Sequence, residues 1–108
     1  MKNDGYTKYL PLTESSYYIM LSLVEPRHGY AVMQHVESLS QGTVKLGPGT
    51  LYGDFATLEK EKIITKVKEE DRRKYYSLTV KGRKILIEQI RRLEIMTQNG
   101  LQSSVFDE

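Results

Sequence analysis

Apolar positions along this chain follow helical spacing, then strict alternation, then helical spacing again. Tyr17, Tyr18, Ile19, Met20, Leu21, Leu23 and Val24 crowd one segment so densely that a helix built from it is apolar around much of its girth. Such a helix has two packing partners, because a single partner needs only one stripe. Thr13 is placed as its N-cap, Glu14 suits the first-turn dipole, and Pro26 ends it. A second helix opens near His28-Gly29, sets Val32, Val36 and Leu39 at i, i+4, i+7, and closes at Gly42. Thr43-Val44-Lys45-Leu46 is short and β-inclined, which predicts a small strand. Gly47 and Pro48 then form a helix entry, with proline pre-set for the first turn. In this third helix Leu51, Phe55 and Leu58 make the buried stripe, leaving Thr50, Gly53, Asp54, Thr57 and Glu61 outward.

From Ile63 to Lys68 the period changes to two, as in a strand with one wet face. A charged turn, Glu69-Glu70-Asp71-Arg72-Arg73-Lys74, leads into a basic, aromatic strand ending near Leu78. Thr79 caps a last helix that runs to about Asn99, with Gly100 as its stop. Helix, strand, charged turn, strand, helix is the layout of a winged helix. The expected class is α+β, mainly α: a winged helix-turn-helix with a two-to-three-stranded wing and a long C-terminal helix. The expected division is an arm over 1–11, a winged-helix DNA-binding domain over 12–79, a dimerisation helix over 80–100 and a frayed tail over 101–108.

The last helix carries the dimer expectation. Twenty helical residues span roughly 30 Å, longer than a small winged-helix core can cover. The apolar side formed by Leu86, Ile90, Leu93 and Met96 would stay wet in a monomer, so these residues, with Met20 of the first helix, are the expected interface. The alternative is a helix that packs within its own chain.

Composition removes several classes of function. With 108 residues and no cysteine, the chain has one domain, no disulfide framework, no thiolate chemistry and no zinc–thiolate site. No apolar run approaches the roughly 20 residues of a membrane span. Met1-Lys2-Asn3-Asp4-Gly5 has no signal-peptide core, so a cytoplasmic location is expected. His28 and His35 lie outside any H-E-x-x-H arrangement, and there is no nucleophile elbow, glycine-rich phosphate loop or convincing carboxylate pair. Gly47-Pro48-Gly49 has proline where a phosphate cradle would need an amide donor. No catalytic residue, metal or cofactor is expected.

Charge changes the picture once it is mapped. The net +2 conceals ten Lys or Arg and four acids between Lys60 and Lys84, a local +6 that leaves −4 for the rest of the chain. Such a segment is the footprint of a phosphate-binding face, although charged side chains can also simply solvate a hairpin. The third helix suits the major groove: Gly49 and Thr50 permit close backbone approach, while Tyr52, Gly53, Thr57 and Lys60 follow along the exposed side. Tyr52 can reach a phosphate or act as a core tyrosine with an exposed hydroxyl. Asp54 reads as a solvated acid turned away from the duplex. Arg72, Arg73 and Lys74 are the expected phosphate contacts of the wing, provided its acids are aimed elsewhere.

Several short runs, in this order, then carry a resemblance. They are His28-Gly29-Tyr30, Pro48-Gly49-Thr50-Leu51-Tyr52, Leu58-Glu59 followed by Ile63-Ile64, and Arg73 through Gly82. Over roughly Leu12 to Leu93 the chain resembles the PadR family of bacterial transcription regulators. The resemblance implies a homodimeric repressor on a pseudo-palindromic double-stranded DNA operator, with a single C-terminal dimerisation helix as in the family's short-tailed branch. It also implies a small flat aromatic effector bound in a pore at the dimer centre, for which Tyr17, Tyr18, Leu93 and Met96 are the available walls. Three departures stand out. Lys62 occupies a position where the family usually has glycine, at a cost on the order of 1 kcal/mol if its backbone is left-handed. Gly47 replaces a frequent serine and removes a capping hydroxyl. Leu93 falls where the branch often has a large aromatic. The rival from another class is a winged-helix module that binds protein rather than DNA.

Overall fold

The computed structural model describes residues 5–107, so the first four residues of the expected arm and Glu108 lie outside the described residues. Four helices and three strands follow one another: α1 (Glu14–Ser22), β1 (Arg27–His28), α2 (Gly29–Leu39), α3 (Pro48–Lys60), β2 (Ile64–Glu70), β3 (Arg73–Leu78) and α4 (Val80–Gln102). The strands form one antiparallel sheet in the order β1-β3-β2. This is the winged helix-turn-helix expected from the pattern.

Helix starts follow local chemistry. The Thr13 hydroxyl accepts from the Ser16 amide, and the Thr79 hydroxyl accepts from the Gly82 amide. Gly47 caps α3 with no side-chain bond, and Pro48 takes its first turn. α1 stops at Ser22, ahead of Pro26. α2 and α3 end alike. At α3 the Lys62 amide donates to the Glu59 carbonyl and the Ile63 amide to the Leu58 carbonyl, which closes the helix with Lys62 left-handed at φ 61°. At α2 the left-handed residue is Gln41, φ 54°, one place before Gly42. Both positions favour glycine, and both here carry a side chain.

Three expectations need correction. The third strand is β1, not Thr43–Leu46. Arg27 and His28 pair with Tyr76 and Tyr75 along the open edge of β3. Around Val44 the backbone is already satisfied locally: the Ser40 hydroxyl accepts from the Val44 amide and donates to the Val44 carbonyl, and the Thr43 hydroxyl donates to the Ser40 carbonyl. Second, β2 has no dry face beyond Ile64. The hairpin projects past the core, and Val67 sits exposed at a bulge between Lys66 and Lys68. Third, α4 runs through Gly100 to Gln102. Ser103 sets the helix end, donating to the Gly100 carbonyl and accepting from Val105 in a following 3-10 turn, Ser104–Phe106. The residues expected as a frayed tail therefore begin inside the helix.

The core gathers Ile19, Met20 and Leu23 from α1, Val32 and Val36 from α2, and Leu51, Phe55 and Leu58 from α3, closed by Ile63, Ile64, Leu78, Ile85 and Leu86. Leu39, expected to continue the α2 stripe, is exposed at the helix end. Gly82 lets the first turn of α4 lie close against Ile63, just ahead of β2, because a Cβ there would collide with the Ile63 carbonyl oxygen. The described part of the arm is docked. Tyr9 donates to the Glu61 carboxylate at 2.9 Å, while the Lys81 ammonium donates to the Tyr9 hydroxyl and the Glu61 carbonyl, each at 2.7 Å. The Leu12 amide donates to the buried Gln89 side chain at 2.7 Å. Arm, end of α3 and start of α4 are thereby tied into one corner.

Candidate nucleic-acid interface

α3 buries Leu51, Phe55 and Leu58 and turns Gly49, Thr50, Gly53, Thr57 and Lys60 to the outside, as its spacing requires. Tyr52 serves both of the roles left open for it. Its ring lies across Gly29 at the start of α2, where a Cβ would strike the ring and hydroxyl, yet 53% of the residue stays exposed. It meets Phe55 edge-on at 6.0 Å, and Phe55 meets Tyr76 at 4.9 Å, an aromatic chain joining α2, α3 and β3. The Thr57 hydroxyl donates back to the Gly53 carbonyl at 3.3 Å. Asp54 is not the solvated acid expected: it is half-buried, and burial raises its carboxyl above the ordinary value.

The wing is a two-residue hairpin. Asp71 at φ 52° and Arg72 at φ 65° both take the left-handed conformation that such a turn requires, a place where Asn-Gly or Asp-Gly is commonest. Two of its three acids are paired along β2, Lys66 with Glu69 at 3.3 Å and Lys68 with Glu70 at 3.7 Å. Both pairs are exposed and weak; Asp71 stays exposed at the tip, as do Arg72, Arg73 and Lys74. A cleft of about 320 Å³ lies between these bases, Tyr52 and the start of α2.

His28 stands at the rim of this cleft, and the spacing argument had treated it only as a helix opening. It is the N-cap of α2, with Nδ1 accepting from the Ala31 amide at 3.3 Å. Its Nε2 lies 3.2 Å from the Arg73 guanidinium. Tyr75 meets its ring edge-on at 5.2 Å, and the Lys68 ammonium sits 4.6 Å from the centre of the Tyr75 ring. Burial, then the Arg73 charge, lowers the His28 pKa below its ordinary value. The signal for this site was the His28-Gly29-Tyr30 run itself: Gly29 makes room for Tyr52, and His28 faces the wing.

The expected dimer residues separate into two groups. Met20 is 0% exposed and Leu86 4% exposed, so both are spent on the core of their own chain and cannot form the face of an interface. Ile90 and Leu93 are half-buried, whereas Met96 is 65% exposed, together with Ile95, Leu101, Val105 and Phe106. Tyr17 and Tyr18 are half-buried and meet edge-on at 5.3 Å; burial and the neighbouring Tyr18 raise the Tyr17 pKa. Among the described residues no group of His, Asp and Glu is arranged to hold a metal ion, and no helix is long and apolar enough to cross a membrane.

A family model described as the transcriptional regulator PadR-like family matches residues 19–88. The chain is 34% identical over 83 residues to an uncharacterized 37.1 kDa protein in transposon TN4556 of Streptomyces fradiae, covering 77% of this chain and 24% of that protein. It is 31% identical over 71 residues to the transcriptional regulator YqjI of Escherichia coli, covering 66% of this chain and 34% of that one. The chain thus spans only a quarter to a third of these relatives. Among solved structures it is similar to a PadR-like transcription factor from Bacteroides fragilis, with a TM-score of 0.66 and 28% identity over 79% of this chain and 84% of the other. A transcriptional regulator from Clostridium thermocellum shares the fold at TM-score 0.69 and 24% identity, covering 98% of this chain and 100% of that one.

Proposed function

Because the chain belongs to the PadR-like family of transcriptional regulators, we propose that it is a sequence-specific double-stranded DNA-binding regulator acting as a homodimeric repressor. One observation carries this reading: the exposed side of α3 presents Gly49, Thr50, Gly53, Thr57 and Lys60, and it stands beside three exposed wing bases, while Glu69 and Glu70 of the wing are paired with lysines of β2. In this reading Thr50, Gly53 and Thr57 meet base edges in the major groove. Gly49, Tyr52, Lys60, Arg72, Arg73 and Lys74 hold phosphates and set the register.

The distal half of α4 supplies the dimer contact, with Leu93 and Met96 as its apolar centre and residues 12–79 as the DNA-binding unit. A dimer engages two half-sites about 34–36 Å apart, which makes the operator pseudo-palindromic. Release by a small aromatic effector rests on the half-buried Tyr17–Tyr18 pair and on Leu93 and Met96 of α4. The test is a mobility shift with the DNA upstream of the gene, repeated over a salt series and against random competitor. A retarded dimer complex that competitor fails to displace supports the reading. Absence of binding to any duplex favours a protein-interaction module instead.

A further inference from the structure

His28 has two nitrogens and two neighbours, and both neighbours are donors. The Ala31 amide points at Nδ1 from 3.3 Å, and the Arg73 guanidinium lies 3.2 Å from Nε2. A neutral imidazole has one acceptor and one donor nitrogen, and arginine has no acceptor at all. One of the two contacts therefore sets donor against donor, whichever tautomer is present. The partly buried contact is the one to Ala31, whereas the contact to Arg73 is exposed. An amide left unmet at a partly buried helix start is costly, and water can serve the exposed side. The tautomer with Nδ1 as acceptor and Nε2–H outward is thereby favoured.

In that tautomer Nε2–H and the Arg73 guanidinium are two donors 3.2 Å apart at the rim of the cleft, beside Arg72 and Lys74, with no acceptor of their own. The group that satisfies both is an anionic oxygen. We propose that His28 and Arg73 together grip one phosphate, a phosphodiester of the DNA backbone, with His28 as a neutral donor that fixes the position and Arg73 as the charge. The consequence is mechanical. Arg73 belongs to β3 and His28 to β1, so one phosphate would bridge the two paired strands where the wing meets the start of α2. Tyr75, with Lys68 beyond it, holds the His28 ring edge-on from the side.

This inference rests on the DNA-binding reading, and its tests fail separately from that reading. Asparagine is a good N-cap, but its side chain ends short of the position of Nε2. His28→Asn should keep the melting temperature of the parent protein and bind operator and random duplex about tenfold more weakly, equally for both. The salt slope should stay unchanged, since no charge is lost, whereas Arg73→Ala should lower it by about one. With Arg73→Ala already present, His28→Asn should cost little more. Unchanged affinity in His28→Asn, or a loss confined to the operator, overturns the proposal.

Ring nitrogen NMR of the unaltered protein tests the same claim without a variant. The expected result is an unprotonated Nδ1 and a protonated Nε2 whose signal moves on adding random duplex, and moves with inorganic phosphate only at much higher concentration. The opposite tautomer, or a signal that stays still while the protein binds duplex, refutes the assignment. If the unaltered protein binds no duplex, the regulator reading fails. Inorganic phosphate then decides the pair: a shift upholds phosphate binding, and a silent signal refutes it.

Discussion

α3 and the distal half of α4 are both exposed helix surfaces, and they are exposed for opposite reasons. α3 sends its three apolar side chains inward and shows solvent a face of glycine, threonine and lysine. Past Leu93, α4 has left the core behind, and Met96 and Leu101 face solvent although they continue the side that buried Leu86. Water satisfies the first surface and not the second. A polar face beside paired-off acids suits a polyanion, whereas an apolar stripe beyond the core suits another apolar stripe. The lesson is that burial, more than pattern, divides α4 into a core half and an exposed apolar half.

The largest effect should come from the core half. Gly82→Ala drives a Cβ into the Ile63 carbonyl oxygen where the start of α4 packs against the turn after α3. It should destabilise the fold by about 3 kcal/mol, read as a fall in the denaturant midpoint. A loss below roughly 0.5 kcal/mol would mean that this packing can relax, and the division within α4 would blur.

In the distal half the sign of the outcome changes. Replacing Leu93 and Met96 together with Glu should leave each monomer folded and raise the dimer dissociation constant at least about 100-fold, read by light scattering. An unchanged dimer mass would remove this stripe from the interface.

A smaller effect sharpens the view of α3. Lys62 is left-handed at φ 61° in the turn that ends the helix. Lys62→Gly should stabilise the protein by about 1 kcal/mol, because the strain at a side-chain-bearing left-handed residue disappears. A destabilised variant would mean that the Lys62 side chain contributes more than its backbone costs.

The smallest effect is a pH dependence. Burial lowers the pKa of both His28, helped by Arg73, and His35, helped by Arg27. The unfolded chain, with histidines near 6.5, therefore takes up protons before the folded one does. Stability should be full above that value and decline as pH falls from it towards the lowered folded values. Asp54, whose carboxyl is raised by burial, acts with the opposite sign in a more acidic range. Denaturant midpoints that stay flat from neutral pH to about pH 5 would contradict the assignment.

Helix starts were legible because capping is local. Thr13, Gly47-Pro48 and Thr79 announce themselves within a few residues of the turns they begin. The strained end of α3 was expected only through the family resemblance, which usually has glycine where Lys62 stands, and the backbone there is left-handed at φ 61°. What the pattern missed depends on distant partners. β1 exists because β3 offers it an edge, and Val44 is kept out of a strand by Ser40. Met20 and Leu86 looked available because periodicity marks an apolar side without saying which neighbour covers it. Of the candidate site, the bases and small polar residues could be picked out from type and spacing. The acids' pairing with Lys66 and Lys68 required side-chain geometry within β2, and the place of His28 opposite Arg73 required β1 to pair with β3.

The central claim is that the polar face of α3 reads bases while the wing holds phosphates. Thr50→Ala and Arg72→Ala, measured side by side on operator and random duplex over a salt series, test it most directly. Thr50 is exposed at the start of α3, so its loss should reduce preference for the operator by about 1 kcal/mol and leave the salt slope and melting temperature unchanged. Arg72→Ala should weaken both duplexes equally and lower the slope by about one. Equal losses on both duplexes from Thr50→Ala, or a changed base preference from Arg72→Ala, would contradict it.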